Sequence, residues 1–444
     1  MAFTVRRDLT TRLRESLPWE LTDDQHRALR EITADMVASD RMHRLLMGDV
    51  GTGKTVVALF AMLLAVENDF QAALMAPTEL LAEQHAVTLE QLLATLSLRP
   101  ELLLGRHSAA EKQAVRGRLA AGQARLVVGT HALMQESVSF HRLGLVVIDE
   151  QHRFGVEQRA ALIGKGAAPD VLLLTATPIP RSLALTLYGD LDVSTLRHRT
   201  PGRGTIRTAV RTGAQRERVM EFVREACGRG RQAYVVLPVI EESERADLRA
   251  ATTMAQSLAA RWPELRVGLV HGRLKADERD ETMRRFRAGE VHVLVATTVI
   301  EVGIDVPNAT IMLIEHPERF GLAQLHQLRG RIGRGEEESF CILMSDTEVP
   351  DRLHAFAGTQ DGFKIAELDL AERGMGDLIG ARQSGGVEVR HAQLPADDDL
   401  LARARQLAID LIGADPALQR TENQRLRARA VARYPRAVEL FRVG

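Results

Sequence analysis

Short apolar runs alternate with helix-length segments along most of the chain. In its first half, five such runs each precede a polar or glycine-rich turn and predict strands: Leu45–Met47, Ala72–Met75, Leu126–Val128, Leu145–Ile148 and Val171–Leu174. Runs that are apolar at nearly every position are typical of parallel strands buried on both faces. The first half is therefore expected to form an α/β domain around a parallel sheet.

The pattern stops at Arg197–Gly204, a stretch rich in Arg, Gly and Pro that we interpret as a linker. It then restarts with five further predicted strands: Ala233–Leu237, Val267–Val270, Val293–Ala296, Ile311–Ile314 and Cys341–Met344. The rest is expected to be helical: a first helix ends near Pro18, one over Arg352–Leu370 is broken by Gly374, Gly376 and Gly380, and another stretch fills Asp399–Phe441. We expect four parts: residues 1–20, 21–198, 205–347 and 348–444.

Composition restricts the possible partners. Lys and Arg number 58 against 59 Asp and Glu, so any surface for nucleic acid must be local. Aromatic residues make up 4%, which favours contacts to a sugar-phosphate backbone over rows of base-stacking rings. The two cysteines, Cys227 and Cys341, fit no metal or redox spacing and predict buried thiols. No apolar stretch reaches the roughly 18 residues of a membrane span, and we expect a cytoplasmic protein.

The strongest chemical signal follows the first predicted strand. It has the spacing G-x-x-x-x-G-K-T and consists of Gly48, Asp49, Val50, Gly51, Thr52, Gly53, Lys54 and Thr55. Glycines let such a loop turn its backbone N–H groups onto phosphate oxygens, and the following helix adds its positive end. Lys54 would reach the β- and γ-phosphates, and Thr55 would bind Mg²⁺. This pattern predicts an ATP site.

Two further groups fit ATP hydrolysis. Asp149 and Glu150 end a predicted strand, where a carboxylate can hold Mg²⁺ and the next can polarise the attacking water. Thr175 and Thr177 follow another strand and could link the nucleotide site to nucleic acid, although such a pair alone is more often a simple turn. In the second half, Gln327, Arg331 and Arg334 suit stabilisation of γ-phosphate charge in the transition state.

These strings occur in the order GDVGTGKT, APTELLAEQ, GTHAL, DEQH, TATPIPR, ATTVIEVGIDVPNA and QLRGRIGR. In that order they resemble the motifs of superfamily 2 helicases. The longer strings DEQHRFGVEQR, LVHGRLKADERD and DGFKIAELDLAERGMGDLIGARQSG resemble the RecG family of bacterial branched-DNA helicases, whose close relatives are the transcription-repair coupling translocases. The resemblance implies two tandem RecA-like parallel-sheet lobes with a C-terminal helical hairpin and tail, and ATP and Mg²⁺ as cofactors.

The resemblance also implies residue roles. Gln25 would read the adenine edge, Leu17 would lie against its ring, and Gly303 and Asp305 would approach the ribose. Contacts to the DNA backbone are implied for Thr78, Thr130, His131 and Thr297, and coupling of ATP turnover to movement for Arg352, Arg373 and Gln383. Leu17 departs from the family's usual residue, as does Met375, which stands where proline is usual.

The implied substrate is double-stranded or branched DNA, bound by a monomeric, nucleoid-associated motor that a single-stranded-DNA-binding protein would assist. The family also carries an N-terminal wedge that splits branched DNA, and these 444 residues contain no similar segment. We therefore expect weak or absent fork unwinding by this chain alone. Three other hypotheses remain open: a duplex DNA translocase of the transcription-repair coupling type, a nucleic-acid-binding module that uses ATP only as a switch, and an RNA helicase.

Overall fold

The computed structural model describes residues 3–150, 162–166, 169–176, 191–198, 200, 204–238, 244–297, 306–346, 349–378 and 398–433. The described residues fall into two compact units. One contains both sheets and runs to Glu372, and the other comprises the described residues from Arg373 onward.

The first lobe is built on a seven-stranded parallel sheet in the order β3-β4-β2-β5-β6-β1-β7. Its strands are β1 His43–Gly48, β2 Gln71–Met75, β3 Pro100–Leu103, β4 Leu126–Gly129, β5 Leu143–Asp149, β6 Asp170–Thr175 and β7 Asp192–Leu196. Its helices are α1 Leu9–Ser16, α2 Asp23–Val37, α3 Lys54–Glu67, α4 Glu79–Leu93 and α5 Ala109–Ala120. Residues 56–67 of α3 are all buried, so this helix is enclosed rather than amphipathic.

The second lobe has a six-stranded parallel sheet in the order β10-β11-β9-β12-β13-β8. Its strands are β8 Ile206–Thr212, β9 Gln232–Val236, β10 Val267–Val270, β11 Val293–Ala296, β12 Ala309–Glu315 and β13 Ser339–Ser345. The helices are α6 Arg216–Gly228, α7 Glu244–Arg261, α8 Ala276–Arg287, α9 Leu322–Arg329 and α10 Asp351–Ala357. Three further helices follow: α11 Gly362–Leu378, α12 Asp398–Ala414 and α13 Gln424–Arg433.

The predicted fold class is confirmed, because both sheets are parallel and helices follow them at the C-terminal end. Each of the ten predicted strands corresponds to an observed one, and both cysteines are buried. The predicted helix break was wrong at Gly374 and Gly376, and Gly380 lies outside the described residues. The helical region divides at residues 358–361, and α11 then continues through Gly374 and Gly376. A glycine inside a helix costs only about 1 kcal/mol relative to alanine, which the rest of a helix can offset.

Candidate nucleotide-binding and hydrolysis site

The loop between β1 and α3 takes a backbone shape that its glycines make possible. Gly51 and Gly53 have φ values of 84° and 81°, in the left-handed region that side-chain-bearing residues avoid. A Cβ at Gly53 would lie 2.3 Å from the amide nitrogen of Gln25. Thr52 stabilises the turn, since its hydroxyl donates to the Asp49 carbonyl at 2.9 Å. This is the shape in which successive N–H groups can face a phosphate.

Lys54 begins α3 and lies over this loop. Its amine donates to the carbonyl oxygens of Gly48 and Asp49, at 2.7 and 3.1 Å. Burial lowers the pKa of the Lys54 amine, and the carboxylates of Glu150 and Asp149 oppose that effect. The amine is thus held among the oxygens of the loop and within reach of the acidic pair's charge.

Asp149 and Glu150 lie where β5 ends. One carboxylate oxygen of Asp149 is 2.8 Å from Nε2 of His85 on α4, and the other accepts the N–H of Glu150 at 3.0 Å. Burial by itself would raise the pKa of the Asp149 carboxyl, but the His85 hydrogen bond and the charge of Lys54 bring it below its ordinary value. Asp149 is therefore an oriented carboxylate. Glu150 has φ 50°, an uncommon backbone conformation that is found at functional sites.

A cavity of about 400 Å³ brings the predicted residues of both lobes together. The first lobe contributes Val50, Gly51, Gly53, Lys54, Thr55, Asp149 and Glu150, and the second contributes Arg331 and Arg334. Arg331 is almost wholly buried. Next to it, a Cβ on Gly330 would lie 2.9 Å from Val50, so the two lobes are in close contact there. Two cationic side chains of one lobe thus share a cavity with the lysine of the other.

Three family models match successive parts of the chain. The DEAD/DEAH box helicase family model matches residues 22–186, and the helicase conserved C-terminal domain model matches residues 215–336. A third model, ATP-dependent DNA helicase RecG, domain 3, C-terminal, matches residues 359–433. This third model is specific to RecG and covers helices after the second sheet. It therefore distinguishes the chain from helicases that match only the first two models.

The chain belongs to the RecG helicase family and contains its motor region. It is 48% identical to the ATP-dependent DNA helicase RecG of Synechocystis over 97% of this chain and 52% of that one. It is also 48% identical to RecG of Bacillus subtilis, over 90% of this chain and 59% of the relative. The chain thus spans between half and two thirds of the length of these relatives.

Solved structures give the same family. A RecG structure bound to a three-way DNA junction matches with a TM-score of 0.78 at 45% identity, covering 90% of this chain and 53% of that one. The helicase Lhr of Mycobacterium smegmatis matches at 17% identity with a TM-score of 0.55, covering 78% of this chain and 48% of Lhr. The second likeness extends only to the fold.

Of the two residues predicted to face the adenine, Gln25 contacts the nucleotide loop, and neither Gln25 nor Leu17 lines the cavity. The Gln25 amide donates to the Thr52 carbonyl at 2.8 Å and accepts the N–H of Thr22 at 2.9 Å, and the side chain is fully buried. Reading adenine would require these bonds to exchange, and that role stays a prediction. Leu17 packs against the hydrophobic core, whereas Trp19, 41% exposed, lines the cavity.

The residues predicted to contact DNA are divided between surface and interior. His131 is exposed and Thr78 half-buried, while Thr130, Thr175 and Thr297 are buried. Half-buried Arg352 donates to the carbonyl of Phe320 at 3.3 Å. Gln327 is half-buried on α9. Thr177, Gly303, Asp305 and Gln383 lie outside the described residues, as does the side chain of Arg373. These roles also stay predictions.

Sequence reasoning missed three residues at this site. Trp19 lines the cavity, His85 orients Asp149, and His326 contacts the loop before α3. His85 and His326 each stand next to a recognised string, and Trp19 lies two residues after Leu17, so proximity was the available signal. What the sequence did not contain was the partner of each side chain.

Among the described helices, none has both the length and the apolar character of a membrane span.

Proposed function

We propose that this chain is an ATP-driven motor of the RecG type that moves on double-stranded or branched DNA. The observation that carries the proposal is the cavity in which Lys54 of one lobe lies with Arg331 and Arg334 of the other. Residues from two lobes can act on one phosphate group only while the lobes are together. Such a site links each hydrolysis event to a change in how the lobes meet.

Nucleotide binding would use the loop before α3. Its N–H groups and the N-terminus of α3 attract phosphate oxygens, and Lys54 adds a fixed cation. Trp19 lines the cavity and offers it a flat apolar face. This residue is 41% exposed, so more than half of its surface is already packed against the protein. We assign the purine ring to this face, because an aromatic ring can stack on it at small entropic cost.

Thr55 and Asp149 are the candidate Mg²⁺ ligands. Their hydroxyl and carboxylate oxygens line the same cavity, and hard oxygen donors are what Mg²⁺ prefers. The described residues hold no cluster of three or more His, Cys, Asp or Glu side chains suited to a metal. This fits Mg²⁺, which usually keeps water and phosphate oxygens beside one or two protein ligands. When bound, the ion would neutralise phosphate charge.

Hydrolysis would use residues of both lobes. Glu150 would orient the attacking water, and Arg331 and Arg334 would stabilise the charge on the transferring phosphoryl group. His85 would hold the Asp149 carboxylate toward the cavity through its hydrogen bond of 2.8 Å. The alternative of ATP as a mere switch leaves these hydrolytic residues without a use.

DNA is the proposed track. The family relation supports it, and one solved relative is a RecG bound to a three-way DNA junction. Where lysine or arginine side chains neutralise phosphates of the DNA backbone, binding would depend steeply on salt. The monomeric state, the single-stranded-DNA-binding protein partner and the nucleoid-associated cytoplasmic location stay predictions.

ATP turnover of the whole chain tests this proposal. The rate is measured at saturating Mg²⁺ and ATP, with no nucleic acid and with duplex DNA, forked DNA and single-stranded RNA. We expect stimulation by both DNA forms and little by RNA, with Lys54→Ala as the inactive control. Stimulation by RNA alone would support the RNA helicase hypothesis instead, and a DNA-independent rate would refute the motor.

A further inference from the structure

A histidine of the second lobe makes a buried hydrogen bond to the nucleotide loop of the first. Nε2 of His326, on α9, lies 2.8 Å from a carboxylate oxygen of Asp49. The two side chains are only 2% and 7% exposed. The same oxygen of Asp49 accepts the N–H of Val50 at 2.7 Å. One carboxylate oxygen therefore joins the backbone of the loop to the opposite lobe.

The other ring nitrogen of His326 determines which way this bond runs. Nδ1 lies 3.0 Å from a guanidinium nitrogen of Arg329, and a guanidinium can only donate. Nδ1 is therefore the acceptor, and in the neutral ring the proton is on Nε2. That proton points to Asp49. A neutral imidazole in this one tautomer satisfies both neighbours.

Arg329 is itself fixed in place. Its side chain is 1% exposed, donates to the carbonyl oxygens of Thr359 and Phe356 at 2.7 and 3.3 Å, and lies 4.3 Å from the centre of the Phe356 ring. These partners lie at the end of α10 and in the turn before α11. The histidine ring is thus oriented by a side chain anchored in the second lobe.

We propose that His326 is a positioning residue that holds the nucleotide loop in register with Arg331 and Arg334. α9 carries His326 and ends just before the segment that bears both arginines. Gly330 packs against Val50, so a hydrogen bond and a close contact together fix this register. His326 is not among the residues that line the cavity. Its effect on catalysis, but not the contact itself, rests on the proposed function.

Two substitutions separate the hydrogen bond from simple filling of space. In His326→Gln, the side-chain amide nitrogen can take the place of Nε2 and still donate to Asp49. In His326→Asn, the shorter amide can take the place of Nδ1 and accept from Arg329, but it cannot reach Asp49. Both changes keep a neutral polar side chain. His141→Asn, at an exposed position of the first lobe, is the matched control.

The first measurement does not depend on activity. Hydrogen–deuterium exchange is followed at the amides of residues 50–52 in the whole chain. We expect exchange about tenfold faster in His326→Asn, which is about 1.4 kcal/mol, and within about twofold of wild type in His326→Gln and His141→Asn. Equal rates in all variants, or equal increases in His326→Gln and His326→Asn, would overturn the proposal.

The second measurement is ATP turnover. We expect His326→Asn to lower kcat about tenfold with a change in KM below about threefold, because the arginines lose their register while nucleotide binding remains. His326→Gln should retain most of the rate. If the wild-type chain does not hydrolyse ATP, the proposed function fails, and the exchange experiment still decides on the contact.

A change on the other lobe tests the same bond if His326→Asn does not fold. Asp49→Asn keeps an oxygen for the N–H of Val50 but weakens the acceptor for His326. Hydrogen–deuterium exchange at the amides of residues 326–331 should then rise severalfold, because the weakened bond to Asp49 holds this segment less firmly against the first lobe. An unchanged rate in that segment would show that the contact does not position the arginines.

Discussion

Replacing Arg331 with alanine tests the closed site from the second lobe. The side chain is 3% exposed and shares the cavity with Lys54, so its charge acts in a setting from which most water is excluded. An arginine that stabilises phosphoryl-transfer charge is worth about 10³-fold or more in rate. At about 1.36 kcal/mol per tenfold, the expected loss of transition-state stabilisation is roughly 4 kcal/mol.

The assay separates this loss from weaker binding. We expect Arg331→Ala to lower kcat about 10³-fold while the affinity for a fluorescent ATP analogue changes less than about fivefold. Arg218→Ala, an exposed arginine on α6, should leave both quantities unchanged. An equal loss of affinity and rate would refute the reasoning, because it would mean a contact to the ground state.

Three further predictions follow from the same structure. Glu150→Gln should bind ATP but hydrolyse it poorly, whereas Lys54→Ala should lose turnover; normal rates in either would refute the site. We expect Arg373→Ala to hydrolyse ATP but to fail to displace the third strand of a DNA triplex. Burial raises the pKa of Asp170 from 3.8 to about 6, so the native state binds its proton more tightly and stability is lost as pH rises through that range. The free energy of unfolding of Asp170→Asn, measured with denaturant, should therefore gain on that of wild type between about pH 4 and 7, by at most about 3 kcal/mol, and a constant difference would contradict this.

The sequence predicts interior strands well and edge strands poorly. The three missed strands, β3, β7 and β8, are all at sheet edges. β7 reads Asp-Val-Ser-Thr-Leu and β8 carries two arginines, because an edge strand buries less of its surface and needs no continuous apolar run. β10 is also at an edge, but its run of apolar residues was enough to predict it.

The sequence likewise predicts some residues of the candidate site and misses others. A phosphate-binding loop is encoded in consecutive residues, so Gly51, Gly53 and Lys54 are apparent from spacing alone. The hydrogen-bond partners of His85 and His326 lie 64 and 277 residues away in the chain. A local sequence pattern indicates neither which residue such a partner is nor how far away it lies. Trp19 shows the same limit, since an isolated tryptophan indicates a cavity only after the lobe has folded around it.

The central claim is that ATP hydrolysis moves this chain along duplex DNA. Displacement of a third strand from a DNA triplex, measured beside ATP turnover on the same DNA, tests it most directly. We predict ATP-dependent displacement by the wild-type chain and none by Glu150→Gln, which should still bind nucleotide. Full DNA-stimulated hydrolysis by the wild-type chain without any displacement would contradict the account, because ATP would then serve only as a switch.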